Sequence, residues 1–143
     1  MRIEGTYEFA APRERVWSRL LDPAALRECI PGCEALDPVG PDRWTARLLV
    51  GAGPIRGRYS GSVAVTDRAE PDSYTLEVEG KGAPGFVKGT ARVTLTAAGE
   101  GTRVDVAADG QVGGTVAAVG QRMLSGVAKM LMGQFFECLR ARL

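Results

Sequence analysis

The sequence predicts an α+β domain in which a curved antiparallel sheet of seven strands holds one long terminal helix. Three observations carry this expectation. Successive runs alternate apolar and polar residues with period two, the mark of antiparallel strands with one wet face. The last 30 residues instead space their apolar side chains by three and four, as a helix does. Short turn signals of Gly, Pro and Asp separate the runs, with no repeat, linker or low-complexity tract between them. Residues 1–143 are therefore expected to form a single domain.

The first strand is residues 2–9, where Ile3, Gly5, Tyr7 and Phe9 face one way and Arg2, Glu4, Thr6 and Glu8 the other. Pro12 suits a first helical position, and Val16, Trp17, Leu20 and Leu21 keep helical spacing to about Leu21. Asp22-Pro23 starts a second short helix, carrying Leu26, that stops before Pro31-Gly32. A weak strand over Cys33–Val39 follows. Five stronger ones come after it, with inward rows Trp44–Val50, Tyr59–Val65, Tyr74–Gly80, Gly89–Leu95 and Val104–Val112. The terminal helix, Gly114–Leu143, has Thr115 as a plausible N-cap and Arg140 and Arg142 at the negative end of its dipole. At ~1.5 Å per residue it would run roughly 40 Å as one piece. So long an apolar helix needs a surface to hold it, and the sheet is that surface.

Small residues crowd the inward face of the strands: Gly5, Ala46, Gly61, Gly80, Gly89, Ala91, Ala108 and Gly110. Either they let the sheet bend and the helix approach, or they leave room for a ligand. In the second case the candidate ligand-binding residues are Trp44, Leu48, Tyr59, Leu76, Val78, Phe86, Val116, Met123, Val127 and Met130.

In a meander, alternate connections lie at the same end of the sheet. One end collects three plain turns at residues 40–42, 70–72 and 98–101. The other collects Cys29–Cys33, Gly51–Gly57, Gly80–Gly89 and Gln111–Gly114, all rich in Gly or Pro. These bring Ile30, Ile55, Phe86 and Val87 to one rim with Arg56, Arg58, Lys81 and Lys88. Apolar tips among cations suit a membrane surface or a protein partner, and such a rim is the expected docking site.

Composition narrows the chemistry. With no histidine the chain lacks the commonest general base near neutral pH and the commonest zinc ligand. Cys29, Cys33 and Cys138 are too few and wrongly spaced for a metal site and are expected as reduced thiols. The segment GKGAPG at residues 80–85 lacks the frame of a phosphate loop. A formal net charge of +1 gives no pull toward nucleic acid. No apolar h-region precedes the first strand and no stretch is long and apolar enough to span a membrane, so a cytoplasmic location is expected. The catalytic prior is low, because the assignable inward ionisable groups are Tyr7, Tyr59 and Tyr74, with Asp67 near a strand end.

Longer stretches carry a resemblance. They are CIPGCEAL (Cys29–Leu36), VGAGPIRGRYSG (Val50–Gly61), SYTLEVEGKGAPGFVKGTARVTL (Ser73–Leu95), GTRVDVAADGQVGG (Gly101–Gly114), GQR (Gly120–Arg122) and FFE (Phe135–Glu137). Together they resemble the CoxG family of carbon monoxide dehydrogenase subunits, within the START-like, helix-grip (SRPBCC) superfamily. The resemblance implies the helix-grip fold and a non-catalytic accessory protein. It also implies a molybdenum hydroxylase of the carbon monoxide dehydrogenase type as partner, brought to the inner face of the cytoplasmic membrane. Family members commonly continue into a linker and a membrane-associating tail. A hydroxylase must pass its electrons on, so a prenylated quinone, or another lipid, is the expected ligand, with no covalent cofactor. The competing readings are a START-like enzyme of the cyclase or hydrolase type and a ligand-free structural adaptor.

Overall fold

The computed structural model describes residues 1–51 and 53–143; expectations for Ala52 and for the side chain of Pro54 in the rim loop fall outside the described residues. Strand β1 (Arg2–Phe9) leads into helices α1 (Arg13–Leu20) and α2 (Pro23–Cys29). Strands β2 (Cys33–Gly40), β3 (Arg43–Val50), β4 (Gly57–Ala69), β5 (Ser73–Gly82), β6 (Gly85–Ala98) and β7 (Gly101–Gly113) follow, and helix α3 (Gln121–Arg140) ends the chain. All seven strands form one antiparallel sheet in the order β1-β7-β6-β5-β4-β3-β2, as the alternation predicts. Asp22 caps α2, its carboxylate accepting from the Ala24 amide at 3.1 Å, with Pro23 in the first turn.

Large inward side chains concentrate in the half of the sheet nearest the plain turns. There Phe9, Trp44, Val65, Tyr74, Leu95 and Val104 pack with Val16, Trp17 and Leu20 of α1 into the core. The C-terminal half of α3 belongs to it through Phe136 and Leu139, each contributing about 1.5–3 kcal/mol by leaving water. Phe136 stacks on Tyr7 with ring centroids 4.1 Å apart, and Trp17 meets Tyr74 edge-on at 5.4 Å. Arg140 donates to the Glu8 carbonyl at 2.9 Å and lies over the Phe9 ring. Arg142 forms an ion pair with Glu28.

Two expectations are corrected here. Residues 114–143 are not one helix. Thr115–Val119 form a separate 3₁₀ turn, and Gly120, at φ 97°, redirects the chain before α3 begins. That positive φ is one an L side chain rarely adopts. The separate turn lets Val116 bury completely, its amide donating to the Pro84 carbonyl at 2.8 Å. The Thr115 hydroxyl donates to the same carbonyl rather than capping a helix. The second correction concerns cysteine. Cys29 and Cys138, 109 residues apart in sequence, form a disulfide because α2 packs directly against α3, their Cα atoms 5.3 Å apart. Cys33 is the free thiol; burial pushes its pKa up, and it donates weakly to the Ala35 carbonyl.

Candidate functional site

The other half of the sheet, toward the Gly- and Pro-rich loops, is where the small residues fall. Strand register aligns Ala46, Gly61, Gly80, Val87 and Val112 as one row across five strands. Over this row lies the N-terminal half of α3, which reaches down with Leu124, Ala128 and Leu131. Floor and roof do not meet. Between them is an apolar cavity of about 270 Å³, lined along its length by Leu48, Val50, Ile55, Tyr59, Val78 and Val116.

The Gly- and Pro-rich loops lie at its end. Pro84, in the β5–β6 turn, holds Thr115 and Val116 and lies against Gly57. The Gly32 carbonyl accepts from the Leu49 amide at 2.8 Å. Tyr59, on the cavity wall, donates its hydroxyl to the Ile55 carbonyl at 2.7 Å and so fixes the rim turn Gly53–Ile55. Burial pushes the Tyr59 phenol above its usual pKa and keeps it neutral.

Of the ten predicted ligand-binding residues, Leu48, Tyr59, Val78 and Val116 line this cavity. Trp44 and Leu76 do not, for they stand nearer the plain turns and belong to or pack on the core. Phe86 does not either. It shares the outward parity of Lys88 and Thr90, lies across Gly113 and is 46% exposed, whereas its neighbour Val87 points in. Met123 and Met130 are 54% and 47% exposed and do not line it, and Val127 is half-buried beside the wall without forming it. The physical reason is rotation. The apolar face of α3 is too wide for its spacing to fix which edge turns inward, and the turn at Gly120 sets it. Leu124, Ala128 and Leu131, at the same helical spacing on the adjacent stripe, were the residues to find.

Of the residues expected at the rim, Ile30 ends α2 half-buried, Ile55 and Val87 reach the cavity, and Phe86, next to Val87 in the chain, is exposed. Arg58 pairs with Glu34 at 3.3 Å and Lys88 with Glu79 at 3.5 Å. Among the described residues Arg56 and Lys81 have no carboxylate partner. The chain carries no acid at all from Arg43 to Thr66, from Gly80 to Gly99 or from Gly110 to Phe136, so this end is electropositive despite the near-zero total.

A larger depression, about 830 Å³, lies on the outer face of the sheet, walled by Glu77, Glu79, Lys88 and Asp109. Three of these four walls are paired within the sheet, by Lys88–Glu79 and Arg2–Asp109. The apolar cavity is therefore the candidate site. Its one carboxylate-bearing wall residue, Glu79, turns its side chain to the outer face, and among the described residues no cluster of side chains could hold a metal ion. No helix of the described residues is long and apolar enough to cross a membrane.

The fold, a curved sheet gripping a C-terminal helix, recurs in solved structures. A START superfamily protein from Mycobacterium smegmatis aligns with a TM-score of 0.77 at 18% identity, over 99% of this chain and 95% of that one. A protein from Chromobacterium violaceum gives 0.73 at 18%, over 98% and 95%. A conserved protein from Geobacillus kaustophilus is far more similar, with a TM-score of 0.96 at 40% identity, over 99% of this chain and 94% of that one. No curated protein matches. The model of the CoxG family of carbon monoxide dehydrogenase subunits matches residues 5–143, and the chain belongs to that family.

Proposed function

We propose that this protein is a non-catalytic accessory factor that carries a prenylated quinone, or a related lipid, between the membrane and a molybdenum hydroxylase. The observation that carries the reading is the unfilled apolar space beneath α3. It has walls of Leu, Val and Ala, a neutral Tyr59 already engaged with the backbone, and no inward carboxylate. Such a lining favours a neutral lipophilic molecule and offers no acid–base pair for hydrolysis or cyclisation. The family's name ties it to carbon monoxide dehydrogenase, an enzyme whose electrons need an acceptor. The electropositive rim with exposed Phe86 suits an anionic bilayer, at about 1 kcal/mol per basic residue.

The test is organic extraction of the purified protein followed by mass spectrometry, together with titration of stripped protein with decylubiquinone. Bound quinone or lipid, and saturable uptake of the probe, support the carrier. An empty extract and no uptake overturn it and leave an adaptor.

A further inference from the structure

Beside the apolar cavity, at the end of β3, lies a second space of about 310 Å³. One bank is the loop after α2, at Pro31 and Gly32; the other is α3, at Met130, Leu131 and Gln134. Val50 and Leu131 are walls of both this space and the cavity, so a molecule moving from one to the other passes between them. The Cys29–Cys138 disulfide joins the same two banks. Cys29 comes two residues before Pro31, and Cys138 stands one helical turn beyond Gln134. The banks are held unequally. Phe136 and Leu139 anchor α3 in the core whatever the state of the disulfide. Of the seven residues of α2 only Ala25 and Cys29 are buried. Its ion pair from Glu28 to Arg142 is partly exposed and contributes little in water. A third space, of about 280 Å³, also adjoins the cavity, between Gln111, Ala117 and Gln121. Its banks are fixed: β7 is in the sheet, and the Pro84 carbonyl holds Thr115 and Val116.

We infer that the second space is the door to the cavity and that the Cys29–Cys138 disulfide is its redox latch, closed when oxidised and opened by a dithiol. The inference rests on the carrier reading and adds to it a route and a control. Cys138 is the more exposed of the pair, so its sulfur is the one a dithiol reaches. Attack of the dithiol's thiolate on the Cys138 Sγ forms a mixed disulfide and expels the Cys29 thiolate, which takes up a proton. The second thiol of the reagent then closes the reagent's own disulfide and releases Cys138 as a thiol. Two electrons and two protons pass from the dithiol to the protein. Burial keeps the nearby Cys33 protonated and a poor nucleophile, so the bond is opened from outside. With the bond broken, the α2 end of the loop swings while Gly32 stays on β3, its carbonyl accepting from the Leu49 amide at 2.8 Å. The gap to α3 widens and the cavity walls stay in place. The latch therefore sets how fast a ligand enters and leaves, and hardly alters how tightly it is held.

The experiment is stopped-flow mixing of decylubiquinone with oxidised and with dithiol-reduced protein, read by quenching of tryptophan fluorescence. Uptake and release should both be at least about fivefold faster after reduction, with Kd unchanged within about twofold. The double variant Cys29→Ala, Cys138→Ala should match the reduced protein with or without dithiol. Val93→Ala, a core truncation on β6, controls for general loosening and should keep the oxidised rate. Gln134→Trp, which fills the door, should slow uptake in both redox states, and Gln121→Trp, at the third space, should not. Equal rates before and after reduction overturn the latch, as does the same acceleration in Val93→Ala. Slowing by Gln121→Trp in place of Gln134→Trp overturns the door. All three leave the carrier reading intact, because uptake is still seen. No uptake in either redox state overturns the carrier reading and the latch with it.

Discussion

Gly61 and Gly80 face each other across β4 and β5, yet only one of them is demanded by the backbone. A Cβ on Gly61 would run into the Glu79 carbonyl and come within 2.9 Å of the Gly80 Cα. A Cβ on Gly80 would meet nothing within 4 Å. The emptiness above Gly80 is therefore space the fold does not need. Gly80→Leu should fold with a melting temperature close to wild type and lose uptake of decylubiquinone. Gly61→Ala should cost about 1–3 kcal/mol or more by overpacking, read by urea unfolding. Full uptake by Gly80→Leu would show that the ligand does not enter this cavity.

The rotation of α3 gives a second contrast. Ala128 is on the cavity roof and Val127, one position earlier, is beside it. Ala128→Trp should abolish uptake, while Val127→Trp should keep it within a few-fold. Titrating both variants with decylubiquinone separates them. If Val127→Trp blocks and Ala128→Trp does not, the helix is turned by about one residue, 100°, from the position described.

Strand count and order were legible because period two is unambiguous wherever one face is wet. Rows such as Tyr74–Leu76–Val78–Gly80 could be read directly, and so could the crowd of glycines. Alternation does not say how far along a row packing stops, which is why Trp44 and Leu76 were expected in the cavity and sit in the core. The break at Gly120 was hidden by Val116 and Val119, whose spacing continues the helical pattern across a residue with positive φ. Cys29 and Cys138 pair through the meeting of α2 and α3, a tertiary contact with no local trace.

That disulfide carries a third prediction. It closes a loop of 109 residues, for which chain entropy gives about 2–5 kcal/mol of stabilisation. Cys138→Ser, or reduction with a dithiol, should lower urea stability by that order. Without reductant, alkylation of the unfolded chain should modify Cys33 alone; after reduction it should modify all three cysteines. Modification of all three before reduction would mean that α2 and α3 hold together by packing only.

Alkaline pH supplies a fourth. Burial raises the pKa of Tyr74 strongly and those of Tyr7 and Tyr59 to a lesser degree. In the unfolded chain each ionises near pH 10, while in the fold the neutral form persists. The stability of the neutral phenols is therefore complete below about pH 10 and is lost as pH rises from there toward the folded-state values. Urea unfolding should show a falling midpoint above about pH 10, and Tyr74→Phe should flatten most of that slope. An unchanged slope in Tyr74→Phe would place the alkaline transition elsewhere.

The rim predicts how docking fails. Phe86 is exposed on the outer surface, so Phe86→Asp should leave the fold almost untouched and weaken sedimentation with vesicles containing phosphatidylglycerol. Ile55 differs, because its carbonyl takes the Tyr59 hydroxyl and its side chain closes the cavity. Ile55→Asp should weaken docking and uptake together, with a modest loss of stability. Arg56, without a carboxylate partner among the described residues, isolates the electrostatic share. At about 1 kcal/mol per basic residue, Arg56→Gln should lower partitioning roughly fivefold at low salt, and the loss should shrink as salt screens the surface. Vesicles lacking anionic lipid should bind wild type and Arg56→Gln alike. If Phe86→Asp sediments with anionic vesicles as fully as wild type, the docking face lies away from this rim.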